Sequence, residues 1–314
     1  MSFILTYRSP KSVRASTHDR TAVSNAQLKL SPERPTLLSY EALPEWLRDN
    51  PFMRTGYRDA TDSSLGCFQS WGFLHNETMN IYTHLVPALT MVFAQAGVQV
   101  LITKHFPSAT LLDRLVFTVN MLAAITCWTL STLYHTLMNH SVRVSLLWLR
   151  IDYVGIITLI LGSFFSGVHV GFYCEPALRN TYWTMIITLS AITSVLVLHP
   201  QLQGLPFRPH RTGAFVTTGL SGFAPIIHGI VLYGWDEMWV RSGMPYFFLE
   251  GTIYCLGALI FATRMPESIW PGKFDIWLGS HQIFHILVVI ASITHMYGVW
   301  QAFEWNYRSQ HGCL

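Results

Sequence analysis

The strongest constraint on this chain is where its charges are missing. From residue 77 to 304 they withdraw into short loops. They leave seven long runs, near 78–102, 115–137, 151–173, 181–200, 212–234, 246–263 and 282–303. A helix needs about 20 apolar residues to cross the hydrocarbon core, so each run is long enough to span. Only two runs carry a formal charge, Asp152 in the third and Glu250 in the sixth. The whole chain is 12% charged, against about 25% in a soluble domain. The expected fold is an all-α membrane protein with seven transmembrane helices at 77–304. A polar amino-terminal segment, 1–76, precedes them and a short tail, 305–314, follows.

Lys and Arg collect on the cytosolic side of membrane proteins. Fifteen of the 20 basic residues fall on the side of the amino-terminal segment, including Arg143, Arg150, Arg208, Arg211, Arg264 and Lys273. The other side holds Lys104, Arg114, Arg179, Arg241 and Arg308. This bias puts the amino terminus in the cytosol and the carboxyl terminus outside. The first residues contain no secretory signal, so the first span is expected to act as its own insertion signal. The direction excludes a rhodopsin-like receptor, as does the lack of Asp-Arg-Tyr after span three and Asn-Pro-x-x-Tyr in span seven. A net charge of +3 with no basic patch gives no expectation of nucleic acid.

Polar side chains are costly in a bilayer, so their positions carry information. With this topology His135 lies at the end of span two, Asp152 at the start of span three, and His281 with His285 at the start of span seven. All four fall at one depth, near the cytosolic leaflet. His281 and His285 are four apart, one turn along a single helical face, and Ser131 and His135 share that spacing. Three imidazoles with an open fourth position are the pattern of a catalytic Zn2+ site. Asp152 would then contact water at that position or orient a histidine, with Ser131 as a supporting donor. The plain alternative is that each histidine hydrogen-bonds a neighbouring helix.

Glu77, Asn80 and His84 lie along one face at the start of span one. They read as a structural polar network tying span one to its neighbours, or as a second metal site with His84 as a competing ligand. His228 reads as a packed polar contact. His169 and His295 fall toward the far side, too distant to ligate. Glu250 is expected to reach the outer interface and is given no chemistry. Cys174 and Cys313 fall on the outer side, where a disulfide could form.

Several blocks carry a family likeness. They are Asn50-Pro51-Phe52 with Thr55-Gly56-Tyr57-Arg58, then His75-Asn76-Glu77-Thr78-Met79-Asn80-Ile81-Tyr82-Thr83-His84, and Ser131 with His135. Further on come Ile151-Asp152-Tyr153-Val154-Gly155-Ile156 and Leu220-Ser221-Gly222. The longest runs from Arg264-Met265-Pro266-Glu267 through Pro271-Gly272-Lys273-Phe274-Asp275-Ile276-Trp277 to Ser280-His281-Gln282-Ile283-Phe284-His285. From about residue 50 to 300 the chain resembles the progestin and adipoQ receptor family. Within it, the chain is most similar to the fungal members implicated in zinc homeostasis. The resemblance implies seven helices, a cytosolic amino terminus, and zinc held by His135, His281 and His285 with Asp152 beside the fourth position. It also implies a lipid cavity, ceramidase activity, and Tyr153 and Arg211 near a fatty-acid carboxylate. The outer loops are unlike those of the adiponectin receptors, so no expectation of that hormone follows.

The function expected is therefore a zinc-dependent intramembrane lipid amidohydrolase, linked to lipid signalling and metal homeostasis. Its rival is a non-catalytic receptor or regulator with a structural zinc. A transporter would need an internal repeat, and none is visible. The partner expected is a membrane lipid, ceramide or fatty acid. An extracellular protein ligand and a homo-oligomer stay open, as does the choice between plasma membrane and endomembrane.

Overall fold

The computed structural model describes residues 36–309, so Cys313 and the end of the expected tail lie outside the described residues. Before the first span, residues 64–69 form a short helix, α1 (Ser64–Gln69). The spans are α2 (Thr78–His105), α3 (Leu111–Leu137), α4 (Val142–Gly171), α5 (Pro176–Leu198), the pair α6 (Arg208–Leu220) and α7 (Phe223–Tyr233), then α9 (Met244–Thr263) and α10 (Ser280–Ser309). A short α8 (Trp235–Arg241) links α7 to α9. Seven stretches among the described residues are long and apolar enough to cross a membrane.

Lipid-type surfaces face outward, as Phe93, Val195 and Val231 illustrate; all three are largely exposed. Without a hydrophobic drive between helices in lipid, association depends on close packing of small residues. α3 and α4 follow this rule. A Cβ at Gly162 would fall 2.4 Å from Ala123 Cβ, and one at Gly155 would fall 3.2 Å from the Cys127 backbone. Trp128, Met121 and Leu159 from these helices pack with Ala88 and Met91 of α2 and Val288 and Val289 of α10. Toward the other end, Phe106, Phe117 and Phe303 form edge-to-face pairs with centroids 5.0 and 5.3 Å apart.

One expectation is corrected and the fifth span gains a detail. It is a single candidate span, Arg208–Tyr233, whose regular helix is interrupted at Ser221–Gly222. Pro225 lacks the N–H that would bond the Ser221 carbonyl, and the chain tightens there through Gly222 N to Gly219 O at 3.1 Å and Ser221 Oγ to Thr218 O at 2.7 Å. Glu250 does not reach outward to the interface. Its carboxylate turns into the bundle and meets His295 Nδ1 at 2.6 Å, while His295 Nε2 meets Ser166 Oγ at 2.9 Å. A carboxylate in a dry, apolar setting is far better satisfied by an imidazole than by lipid, and α10 offers one at the right height.

That buried pair should obey the asymmetry of buried polar groups, in which orphaning one partner costs more than removing both. Glu250→Leu or His295→Leu alone is expected to destabilise the protein by roughly 3 kcal/mol. The double substitution should recover most of that loss, measured by denaturant unfolding in detergent micelles.

Candidate metal centre

The site is built where two helix ends meet. His135 occupies the last turn of α3, while His281 and His285 occupy the first two turns of α10. These are the most enclosed of the spans, so residues at their ends can be held away from lipid. Each histidine offers a ring nitrogen, and the three lie within 4.8 Å of one another. The rings stand 4.7–4.9 Å apart by centroid and are steeply tilted, at 64–73°. Stacked rings would spread their lone pairs apart; rings at these angles can aim them at one point. The group could hold a metal ion.

The remaining ring nitrogens fix the tautomers. His135 Nδ1 donates to Glu77 Oε2 at 2.8 Å, and His285 Nδ1 donates to the Asn80 carbonyl at 3.1 Å. Each bond commits the proton to Nδ1 and leaves Nε2 with a free lone pair, the arrangement of metal-ligating histidines. His135 Nε2 is buried and has no partner in the protein. A buried nitrogen without a partner is costly unless something else meets it, and an ion at the centre of the three rings would do so. The donor set therefore fits a divalent metal.

Glu77 precedes the first turn of α2. Burial on its own would raise its carboxyl, but the hydrogen bond and charge of His135 and the bond from Asn80 hold it below the ordinary carboxylate range. The Asn80 amide donates to the same Oε2 at 2.6 Å. Just upstream, burial and then the charge of Arg58 push His75 down to about 3. It is therefore neutral, and its Nδ1 accepts from Glu77 N at 3.1 Å. Glu77 and Asn80 thus form a polar network that reaches the histidines directly. His84 stacks flat on His285, centroids 3.8 Å apart and planes within 4°. It stands outside the three-histidine group, and no second metal group forms around it among the described residues.

Asp152 on α4 also stands outside the ring of ligand atoms. Its carboxylate meets the Ser131 hydroxyl and lies in the field of His135. Tyr153 and Arg211 are brought together: Arg211 Nε donates to Tyr153 Oη at 3.1 Å, and Arg211 Nη1 donates to the Leu202 and Gly204 carbonyls. Arg208 lies 4.1 Å above the Phe261 ring, whose own ring lies edge-on to His281. His169 and His295 pair elsewhere, with Asp113 and Glu250, and His228 with Tyr182. Sequence reasoning missed Arg58, Glu267 and Asp275, which are tied to this end of the bundle. All three sit in recognisable blocks, but nothing in those blocks says what they bond.

Seven candidate spans closing on a buried imidazole triad at one end define a class of polytopic helical membrane proteins with a metal-capable centre. The family profile for haemolysin-III-related proteins matches residues 73–296. ADIPOR-like receptor IZH2 of Saccharomyces cerevisiae is 37% identical over 268 residues, covering 85% of this chain and 84% of that protein. The adiponectin receptor protein of Drosophila melanogaster is 38% identical over 261 residues, 83% of this chain and 58% of its own length. Progestin and adipoQ receptor-like protein 1 of Caenorhabditis elegans is 38% identical, over 90% of this chain and 64% of its own. The chain belongs to the haemolysin-III-related family, among its progestin and adipoQ receptor members, and is an integral membrane protein. It spans most of the yeast relative, but less than two thirds of the worm and fly proteins.

Partners that orient a ligating imidazole are worth about 10–100-fold in metal affinity. Glu77→Gln should therefore weaken metal binding by about that factor without abolishing it. Chelator competition on the purified protein measures this, with His135→Ala as the comparison that removes a ligand outright.

Proposed function

We propose that this chain is a zinc-dependent intramembrane amidohydrolase acting on ceramide-like lipids. The observation that carries the reading is the buried, unpartnered Nε2 of His135 facing His281 and His285 while Glu77 occupies its Nδ1. Three imidazoles with a fourth position open suit catalytic rather than structural zinc. A zinc ion held there supplies Lewis acidity to a carbonyl and to water.

The chain's own residues would divide the remaining work. His135, His281 and His285 bind the ion. Asp152, steadied by Ser131, takes a proton from the attacking water at its carboxylate and returns it to the departing nitrogen. Water adds to the amide carbon, the C–N bond breaks, and a fatty acid and a long-chain base leave. Tyr153 and Arg211 orient the polar end of the lipid, with the guanidinium suited to a carboxylate product. Glu77 and Asn80 hold the ligand rings, and His84 packs against one of them. The excess of basic residues on the amino-terminal side supports a cytosolic amino terminus, with this end of the bundle at the cytosolic leaflet.

The relatives named as receptors favour a second reading, in which the metal is structural and the protein regulates lipid and zinc homeostasis. One experiment separates the two. The wild type, His281→Ala with His285→Ala, and Asp152→Ala are purified, their zinc is measured, and short-chain ceramide hydrolysis is assayed. The hydrolase reading expects the histidine pair to lose both zinc and turnover, and Asp152→Ala to keep most zinc while turnover falls by about 100-fold or more. Full hydrolysis by the zinc-free double variant would sink it. Zinc in the wild type with no hydrolysis of any lipid amide would favour the regulator.

A further inference from the structure

The two sets of histidines come from helix ends that do not hydrogen-bond to each other directly. The last four carbonyls of a helix have no intrahelical partner, and the last turn frays unless something caps it. His135 lies in that last turn of α3. Its carbonyl accepts from Arg58 Nη2 at 2.6 Å, and the next carbonyl, Thr136, accepts from Arg58 Nη1 at 3.1 Å. Nη1 also bonds Ser70 Oγ at 2.8 Å. Arg58 is 6% exposed; burial lowers its guanidinium to about 10, so it stays charged at neutral pH. A cation at the carboxyl end of a helix also complements its dipole.

The same stretch of chain grips the other helix a few residues earlier. Arg54 N, Thr55 N and Thr55 Oγ1 all donate to the Asp275 carboxylate, at 3.0, 2.8 and 2.7 Å. Asn50 bonds Glu267, whose other oxygen accepts from Ser280 N at the start of α10. Asn76 N bonds Gly56 O at 2.8 Å, and Gln282 donates to the Asn76 carbonyl. Gly56 has φ +85°, and a Cβ there would lie 2.6 Å from Ile276 Cδ1. Gly56 therefore lies against Ile276 in the loop that leads into His281.

We propose that residues 50–76 form a strap that sets the distance between His135 and the His281/His285 pair, and that Arg58 is its positioning residue. Arg58 does not touch the metal position. It acts through the backbone of the turn that carries His135. The inference rests on the reading of the three histidines as a metal site, but not on any hydrolytic activity.

The test uses the full chain in detergent, with zinc affinity read by chelator competition and Co2+ spectra reporting ligand geometry. Arg58→Gln, which cannot reach both carbonyls, is expected to weaken zinc binding at least tenfold and to alter the Co2+ bands. Arg58→Lys should recover part of the loss. Arg241→Gln is the control. Arg241 is equally buried and bonds the Gly171 carbonyl and Glu175 away from the histidines. That variant should lower thermal stability yet keep wild-type zinc affinity. Should Arg58→Gln fail to fold, Asp275→Asn loosens the strap at its other anchor and should weaken zinc in the same direction. Wild-type affinity and bands in Arg58→Gln or in Asp275→Asn would overturn the proposal, as would an equal loss in Arg241→Gln. A wild type that binds neither metal would overturn the metal reading itself.

Discussion

An imidazole buried among helices has two nitrogens to satisfy, and the protein cannot borrow water to do it. His295 and His135 meet that requirement in different ways. His295 has both nitrogens engaged, one by Glu250 and one by Ser166, so nothing is left to bind an ion. His135 has one nitrogen engaged by Glu77 and the other turned, unpaired, toward two more imidazoles. A further group held between the three rings would offset the desolvation cost of that free nitrogen; among the described residues, the buried, unpartnered nitrogens of His84, His75 and His169 belong to no such three-ligand group. Glu77 and the Asn80 carbonyl bond two of the three rings, and Asp152 meets Ser131 close by.

The sequence made much of this legible because membranes impose strict rules. Seven long runs with at most one charge each read as spans, and their alternating direction brings His135, Asp152, His281 and His285 to one depth. The i, i+4 spacing of His281 and His285 is local, so it survives unchanged into α10. Glu77 and Asn80 could be placed on a face but not against a partner. Their targets, His135 and His285, lie 58 and 205 residues away.

What was not legible depends on contacts that no period encodes. Glu250 stands near the start of its helix, and position alone suggests an escape to the interface. Only the height of His295 on the antiparallel α10 makes the inward rotamer better. Pro225 is tolerated in membrane helices in general, so its presence did not reveal that the helix would break four residues earlier, at Ser221. Arg58 reads as one more basic residue in a polar segment. Its partners are backbone carbonyls, which every residue possesses, so no pairing of residue types announces the bond.

The strap also bears on why a polar segment is packed onto this end at all. α3 and α10 present their ligands at opposite polarity, His135 at a carboxyl end and His281 with His285 at an amino end. The exposed backbone groups at the two ends therefore differ in kind: carbonyls on α3 and N–H groups on α10. One chemical type of side chain cannot cap both. Arg58 supplies donors to the carbonyl end, and Glu267 supplies an acceptor to the N–H end. Asn50 and Asp275 then join the two caps through the short stretch of backbone between Asn50 and Arg58. A donor cap and an acceptor cap on one short tether make the separation of the two helix ends a property of the strap rather than of the lipid-facing packing below it.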